Sequence, residues 1–433
     1  MNKRTGNTYG KVSRRDFITK TALAGAGITL TSSFKKPTAH HTTKHILLSS
    51  GWATRNIGDI GHTPGTLRYL TQNIPWAKVT LLLKSYNDAI VSMIKTRFPR
   101  VDIIKEDADH TGQLEQAFER ADMFIQNSGM KFNRFWKPPV EIIKRSIAAN
   151  VPFCLYGQSF DGFEKEKEAE MSALLSQASQ VYCRENESYF YLRKIGVQPG
   201  VLEFGPDGCF GIDVLDEEKA EAYLQANGLR PKGYITVTLR TNTPTTGYSN
   251  VLNPGQPTSE EKLQDEFWTG KLRSLIEHWV RQTGLKVLLA PEVDKEILHA
   301  RRLLFDKLPL EIQEYVVHRD RFWNLDEAAS IYARAHTVVS MEPHSCIIAL
   351  ANGTPALHLF SPRHGVKAWM FRDIGLSEWL HNIDTDPVNQ FSRALMQIYR
   401  HYAQAEKKVD RAMSFVHHRS VEMMNGISKT ITG

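Results

Sequence analysis

The sequence predicts an α/β protein built from two doubly wound, Rossmann-like domains that face a cleft. Short apolar runs alternate with longer amphipathic runs from residue 45 to residue 205, and the alternation restarts at residue 234 after a charged segment. Alternating strands and helices are typical of a parallel sheet with helices on both faces. About 390 residues follow the first forty, which is enough for two domains of ordinary size.

The first half contains six predicted strands separated by helices. A Gly-rich turn and a helix over Leu67–Asn73 follow the first strand, and a second helix is predicted over Ala89–Phe98. The strands are predicted over residues 45–50, 78–83, 101–104, 122–127, 153–158 and 180–184. We expect this domain to span residues 44–213, with a junction over residues 214–232.

The second half repeats the pattern with five predicted strands, over residues 234–239, 285–290, 315–317, 337–341 and 356–360. We expect this domain to span residues 233–388, with a long polar loop over Thr241–Glu260 directly after its first strand. Residues 389–433 form a predicted helical segment that packs back across the protein. Ligands of doubly wound sheets bind at the carboxyl ends of the strands, so the site is expected there.

The first forty residues resemble a twin-arginine export signal. Arg14 and Arg15 precede Phe17 and a weakly apolar stretch of small residues. We therefore expect export to the periplasm or cell envelope; a disordered basic N-terminus is the alternative, and it leaves the chain in the cytoplasm. No later apolar run approaches the ~18 residues of a membrane helix, so no membrane span is expected in the mature chain.

The positive charge belongs to this N-terminal segment. It holds eight Lys or Arg and one Asp, and the remaining chain holds 46 basic and 46 acidic residues. The composition therefore argues against a nucleic-acid partner. The four cysteines are widely spaced and form no Cys-x-x-Cys motif, so no metal site is predicted, and whether any of them pair is left open.

The segment Val338–Phe360 carries the strongest functional pattern. It reads as a strand, a polar turn, a short helix, a Gly-Thr-Pro break and a second strand, with His344 and Ser345 where the helix begins. Main-chain N–H groups and the positive end of the helix dipole point at a ligand there. A titratable imidazole at such a place suits chemistry on an anionic donor; an ordinary βαβ turn with a surface histidine fits the same pattern.

Other polar residues also follow predicted strands. Asn56 and Asp59 follow the first strand, and Gln158 ends the fifth. Arg240 ends the first strand of the second half, where its planar guanidinium suits a carboxylate or phosphate. A capping turn at Asp59 and a surface ion pair at Arg240 are the alternatives.

Taken in order, these motifs resemble the polysaccharide pyruvyl transferase family. The family has an Asn-x-Gly-Asp turn, an Arg-Asp/Glu-x-x-Ser element, a strand-end Arg, an Arg-Leu-His-Ser turn, a Gly-x-Pro break, and a Lys before a Gly-Leu pair. The matching residues are Asn56, Gly58, Asp59; Arg184, Glu185, Ser188; Arg240; His344, Ser345; Gly353, Pro355; and Lys367 with Gly375-Leu376. The resemblance runs from about Ser49 to Leu380.

The resemblance implies a glycosyltransferase-B-like pair of domains and transfer of the enolpyruvyl part of phosphoenolpyruvate onto a sugar hydroxyl as a ketal. It implies an acid role for His344, with donor binding by Arg240, Ser345 and Lys367. Asn56, Asp59 and Gln158 would face the glycan acceptor. No metal or resident cofactor is implied, and phosphoenolpyruvate is a possible co-substrate.

The chain departs from the family pattern at Glu342-Pro343-His344, where the family has Arg-Leu-His. A carboxylate in place of the arginine repels a trianionic donor, so phosphoenolpyruvate and another anionic donor both stay open. Glu342 is itself a candidate catalytic residue that forms an acid/base pair with His344. A glycosyltransferase that uses a sugar nucleotide and a non-catalytic exported glycan-binding protein are the alternative functions.

Overall fold

The computed structural model describes residues 43–106, 110–133, 138–242 and 257–433, which form two parallel sheets covered by helices. The predicted export signal lies outside the described residues, as does most of the predicted loop over Thr241–Glu260. The strands are β1 His45–Ser50, β2 Lys78–Leu83, β3 Asp102–Lys105, β4 Met123–Gln126, β5 Gly129–Phe132, β6 Phe153–Phe160, β7 Gln180–Cys183, β8 Val201–Phe204, β9 Tyr234–Thr238, β10 Lys286–Leu289, β11 Val316–His318, β12 Thr337–Ser340, β13 Ala356–Phe360 and β14 Leu380–Asn382.

Both sheets are doubly wound. The first has the order β3-β2-β1-β4-β6-β7-β8, with β5 also paired to β6, and the second has the order β11-β10-β9-β12-β13-β14. The strand order therefore reverses between β1 and β4 in the first sheet and between β9 and β12 in the second. Such a reversal opens a crevice at the carboxyl ends of the strands, where ligands of this architecture bind.

Helices connect the strands and cover both faces. The longer ones are α1 Ile57–Asn73, α2 Asp88–Arg97, α3 Thr111–Arg120, α4 Val140–Ala148, α5 Glu168–Leu175, α6 Asn186–Lys194, α7 Glu217–Ala226, α8 Ser259–Thr283, α9 Leu325–Arg334, α10 Pro343–Ala351, α11 Val388–Arg400 and α12 Tyr402–Thr432. Four-residue helices span Glu296–His299, Leu310–Gln313 and Met370–Asp373. No helix among the described residues is both long enough and apolar enough to cross a membrane.

Each sheet buries apolar side chains against its helices. In the first half, Leu47, Phe124 and Leu155 are almost fully buried in one cluster. In the second, Trp268 and Trp279 of α8 are fully buried. Burial of a large apolar side chain contributes about 1.5–3 kcal/mol, so these layers hold the strand ends in fixed positions.

The last helix returns to the first half of the chain. The Arg419 guanidinium in α12 donates to the Phe204 carbonyl at 2.7 Å, and Gln180 Nε2 donates to Thr430 Oγ1 at 3.0 Å. α12 therefore packs on the edge of the first sheet, although it follows the second in sequence.

The sequence-based strand predictions are confirmed, since all eleven predicted strands are present within two residues of their predicted ends. The first helix begins at Ile57, within the Asn56-Ile57-Gly58-Asp59 motif, and so extends ten residues before the predicted span over Leu67–Asn73. Three glycines and a proline lie in its first turns, and these residues disfavour helix. Asn56 offsets this cost by accepting from the Gly58 and Asp59 N–H groups at 2.8 and 3.2 Å.

Candidate active site

The candidate site lies where α1, which follows β1, meets α10, which follows β12. The Ile57 N–H donates to the Glu292 carbonyl at 2.9 Å, and this bond joins the two halves of the chain. A Cβ added to Gly58 would lie 2.5 Å from Cβ of His344. The glycine therefore lets the two helix starts approach closely, at the crevice that the strand orders create.

His344 is held in one orientation by Glu292, which follows β10. The Nδ1–H of His344 points at Oε1 of Glu292 over 3.2 Å, while Oε2 accepts from the N–H and hydroxyl of Ser345 at 2.6 and 2.8 Å. Nε2 of His344 is buried and has no hydrogen-bond partner. A carboxylate that accepts from Nδ1–H leaves Nε2 as the nitrogen available for chemistry.

Arg240 and Lys367 converge on the carboxylate of Glu342. Arg240 Nη1 donates to Glu342 Oε2 at 2.7 Å, and Lys367 Nζ lies 3.5 Å from the same oxygen. Burial alone would raise the pKa of Glu342, but the two cations outweigh it and bring that pKa to about 2. Arg240 and Lys367, the two cations predicted to bind the donor, thus both contact the carboxylate of Glu342.

The exposed fractions of the Arg240, Lys367 and His344 side chains indicate the order in which a ligand reaches them. Arg240 is 26% exposed, Lys367 14% and His344 7%. Burial, followed by the charge of Arg240, lowers the pKa of Lys367. An anionic ligand therefore meets Arg240 first and His344 last.

Asp207 forms the floor of the site. Its carboxylate binds the Arg184 guanidinium, contacts His62 Nδ1 at 3.0 Å and accepts from the Cys209 N–H at 2.8 Å. Burial alone would raise the pKa of Asp207, but the charges of His62 and Arg184 hold it well below its usual value. His344 Nε2 lies 4.0 Å from this carboxylate.

Two of the three predicted acceptor residues, Asn56 and Asp59, lie together at the start of α1, and Gln158 lies in β6. Asn56 caps α1, and Asp59 in its first turn is partly exposed. Gln158 is fully buried in β6, where its Nε2 donates to the Asn127 carbonyl. Asn56 and Asp59 are thus both partly exposed, Gln158 is not, and the three roles stay predictions.

The interactions around His344 differ from those expected. Glu342 was predicted to pair with His344, yet it binds the two cations, and Glu292 contacts the imidazole instead. Pro343 begins α10 and Glu342 precedes it, so the Glu342 side chain is directed to Arg240 at the end of the neighbouring strand β9.

Sequence reasoning missed Glu292, His62, Asp207 and Cys209 as members of the site. Glu292 follows a predicted strand, and the same strand-end rule that selected Arg240 could have selected it. Asp207 and Cys209 lie in a Gly-Pro-Asp-Gly-Cys segment that resembled a domain junction. In the structure this segment packs under α1, because the glycines permit close approach: a Cβ at Gly65 would lie 2.0 Å from the Gly208 carbonyl oxygen.

Comparisons with known proteins support the fold and a family. A sequence model described as polysaccharide pyruvyl transferase matches residues 56–360, more than half of the chain. A search of curated proteins gives no match.

Solved structures of similar architecture share little sequence with this chain. Anabaena Alr3699/HepE in complex with UDP-glucose is 12% identical, with a TM-score of 0.54 over 90% of this chain and 99% of that one. A putative UDP-N-acetylglucosamine 2-epimerase from Listeria monocytogenes is 11% identical, with a TM-score of 0.55 over 88% and 94%. A glycosyltransferase from Rickettsia africae is 13% identical, with a TM-score of 0.53 over 88% and 94%. The predicted glycosyltransferase-B-like fold is confirmed.

Proposed function

The chain belongs to the polysaccharide pyruvyl transferase family, and we propose that it transfers a pyruvyl group from phosphoenolpyruvate, or from a related anionic enol donor, to a sugar hydroxyl of a glycan. Membership of the family supports a transferase that modifies glycans. The observation that carries the finer proposal is the placement of His344, whose buried Nε2 has no partner, two residues after Glu342, the carboxylate that contacts the cations Arg240 and Lys367.

The proposed reaction needs an acid and a place for negative charge. The proton goes to the terminal enol carbon of the donor, the central carbon becomes electrophilic, and a sugar hydroxyl adds to it. A second hydroxyl closes the ketal as phosphate leaves, so the two hydroxyl protons end on the new methyl group and on phosphate. General acid catalysis of this kind contributes about 10²–10⁴-fold.

In this proposal His344 carries the proton on Nε2, and Glu292 keeps the ring turned toward the donor. Arg240 and Lys367 bind the donor's carboxylate or phosphate, and the N–H groups at the start of α10 assist. Asn56 and Asp59, which are partly exposed at the start of α1, are the candidates for contact with the acceptor. The reaction itself uses no resident cofactor.

Glu342 weakens the binding of an anionic donor. Its carboxylate occupies the two cations when no donor is bound, so a donor must compete with it or bind beside it. This requirement weakens the binding of trianionic phosphoenolpyruvate, and a related donor with fewer negative charges is the alternative.

We also propose export through the twin-arginine pathway, on the basis of Arg14 and Arg15. An exported enzyme does not meet cytosolic phosphoenolpyruvate, so its donor outside the cytoplasm would be a related anionic enol. Replacing both arginines by lysine should retain the protein in the cytoplasm, as cell fractionation would show. Unchanged export of the double variant would contradict this part of the proposal.

The transfer is tested by phosphate release from phosphoenolpyruvate in the presence of a glycan pool. We expect release that depends on the glycan and falls by at least about 100-fold in His344→Ala, since the acid is lost. His318→Ala is a matched control, because His318 lies at the end of β11 and contacts the Ile297 carbonyl. Equal loss in both variants would contradict a specific role for His344.

The glycosyltransferase alternative is tested in the same preparation. HepE was solved with UDP-glucose, so that nucleotide sugar is a suitable comparison ligand. Stabilisation and turnover with UDP-glucose but not with phosphoenolpyruvate would replace the proposed reaction. Saturable oligosaccharide binding without turnover of either donor would indicate a glycan-binding protein.

A further inference from the structure

Four buried side chains from three segments present metal-ligating atoms to one another beneath the crevice. They are His62 of α1, Asp207 and Cys209 of the Gly-Pro-Asp-Gly-Cys segment, and His344 of α10. One ligand atom from each lies within 4.8 Å of all the others. We call this group the His-Asp-Cys-His cluster.

The separations of the ligand atoms are close to those around a tetrahedral metal ion. His62 Nδ1 lies 3.0 Å from Asp207 Oδ1 and 3.3 Å from Cys209 Sγ, and His344 Nε2 lies 4.0 Å from Asp207 Oδ2. Zinc bonds of about 2.0–2.3 Å to N, O and S place tetrahedral ligand atoms about 3.3–3.6 Å apart. All the ligand atoms lie within 4.8 Å of one another, so metal binding requires the widest separations to shorten by at most about 1.5 Å.

His344 supplies an independent reason to expect a ligand here. Its Nε2 is buried, has no hydrogen-bond partner and faces the cluster, and the whole residue is 6% exposed. Its Nδ1 contacts the carboxylate of Glu292. Metal-bound histidines almost always donate their second N–H to such a group, which fixes the ring and raises its basicity.

The charges of the cluster also suit a divalent cation. The Cys209 thiol loses its proton to solvent on binding, so one thiolate and one carboxylate neutralise the dication in the buried site. Arg184 can keep its hydrogen bond to the second oxygen of Asp207 and orient the carboxylate. Ser128 Oγ, 2.6 Å from His62 Nδ1, gives up that contact when the metal binds.

We propose that His62, Asp207, Cys209 and His344 bind one divalent transition-metal ion of the zinc class. Two imidazoles, a carboxylate and a thiolate form a donor set that favours Zn²⁺ or Co²⁺ over Mg²⁺ or Ca²⁺. The ion enters at His344, the member nearest the crevice, because the other three are at most 1% exposed.

Metal binding and proton delivery use the same nitrogen of His344 and exclude each other. A bound ion therefore inhibits transfer, and a chelator restores it. This consequence rests on the proposed function, whereas binding of the ion does not.

The binding test uses the full chain, dialysed against chelator and titrated with Co²⁺. We expect one ion per chain and a near-ultraviolet thiolate-to-cobalt charge-transfer band. Zn²⁺ should displace the Co²⁺ and remove the band. Cys209→Ala should abolish the band, whereas Cys154→Ala, which removes a buried thiol in β6, should leave it unchanged.

Two outcomes would overturn the proposal: absence of a thiolate band in the wild-type protein, or a band that survives Cys209→Ala. Binding of Co²⁺ without a thiolate band would indicate adventitious surface histidines. Should Cys209→Ala fail to fold, Glu292→Gln gives a second test, with Zn²⁺ affinity expected to fall by about 10- to 100-fold. An unchanged affinity in Glu292→Gln would count against the cluster.

Failure of the metal proposal and failure of the proposed function are distinguishable. The metal titration contains no donor and no acceptor, and the transfer assay is run in chelator. Transfer without metal binding would remove this inference alone, and metal binding without transfer would remove the proposed reaction alone.

Discussion

Removal of the charge of Glu342 should strengthen donor binding. In the structure this carboxylate holds Arg240 at 2.7 Å and Lys367 at 3.5 Å, so it competes with an anionic donor for both cations. A donor anion bound by the same cations would lie about 5 Å from Glu342, where two like charges repel by about 3 kcal/mol at an effective dielectric constant of ~20.

Part of that repulsion is screened, and the neutral amide oxygen introduced by Glu342→Gln still accepts a hydrogen bond from Arg240. We therefore expect Glu342→Gln to tighten phosphoenolpyruvate binding by at least about tenfold, which corresponds to about 1.4 kcal/mol. Isothermal titration calorimetry on the chelator-treated protein measures the affinity directly, and ligand-induced thermal stabilisation provides an independent check.

A matched control is available on the surface of α8. The Glu266 carboxylate also bridges an arginine and a lysine, with Arg273 at 2.7 Å and Lys307 at 2.5 Å, but it is 44% exposed. Glu266→Gln should leave donor affinity unchanged. Unchanged or weaker donor binding in Glu342→Gln, with normal binding in the control, would refute the view that Glu342 is an internal competitor.

Three further predictions concern stability and catalysis. His344→Ala should lose glycan-dependent phosphate release by at least about 100-fold, because the acid is lost. Its free energy of unfolding should fall by about 1–3 kcal/mol, because the buried Glu292 carboxylate loses its contact with Nδ1. Gly65→Ala should reduce the free energy of unfolding by about 1–3 kcal/mol, because the new methyl group meets the Gly208 carbonyl oxygen. Gly112→Ala, whose Cβ meets nothing within 4 Å, is its control in α3 and should be neutral or stabilising. Burial lowers the pKa of His336 from 6.5 to about 4, so up to about 3 kcal/mol of stability should be lost as the pH falls from 6.5 to 4.

The sign of the pH effect follows from proton uptake. Between the two pKa values the unfolded chain binds a proton at His336 that the folded chain does not, so acid favours unfolding. His336→Phe keeps an aromatic ring beside Trp279 and Tyr402 and should flatten this part of the stability profile. If the free energy of unfolding of His336→Phe falls with pH as steeply as that of the wild-type protein, other titratable groups cause the loss of stability. Equal destabilisation by Gly65→Ala and Gly112→Ala would likewise contradict the packing argument.

Locating the strands in the sequence is enough to predict several residues of the candidate site. Arg240, Glu342 and His344 follow β9 and β12, which are neighbours on either side of the switch point. Parallel strands present their carboxyl ends at one edge, so locating the strands is enough to expect these residues near one another. Their catalytic and binding roles stay predictions.

The contacts between the two halves could not be read from local patterns. Ile57 donates to the carbonyl of Glu292, 235 residues later in the chain, and His344 lies 4.0 Å from Asp207, 137 residues earlier. These contacts depend on how the two sheets pack together, and the hydrophobic periodicity of the sequence carries no information about that packing. Glycine and proline at residues 205–208 indicated a connector, whereas the small residues allow α1 to pack on the segment.

Labelled donor provides the most direct test of the central claim that His344 and the adjacent cations perform pyruvyl transfer to a glycan. A glycan pool is incubated with chelator-treated protein and carbon-13 phosphoenolpyruvate, and the products are resolved by mass spectrometry. We predict a glycan that gains the mass of one labelled pyruvyl ketal with the wild-type protein and gains nothing with His344→Ala. A labelled ketal formed equally well by His344→Ala would contradict the account.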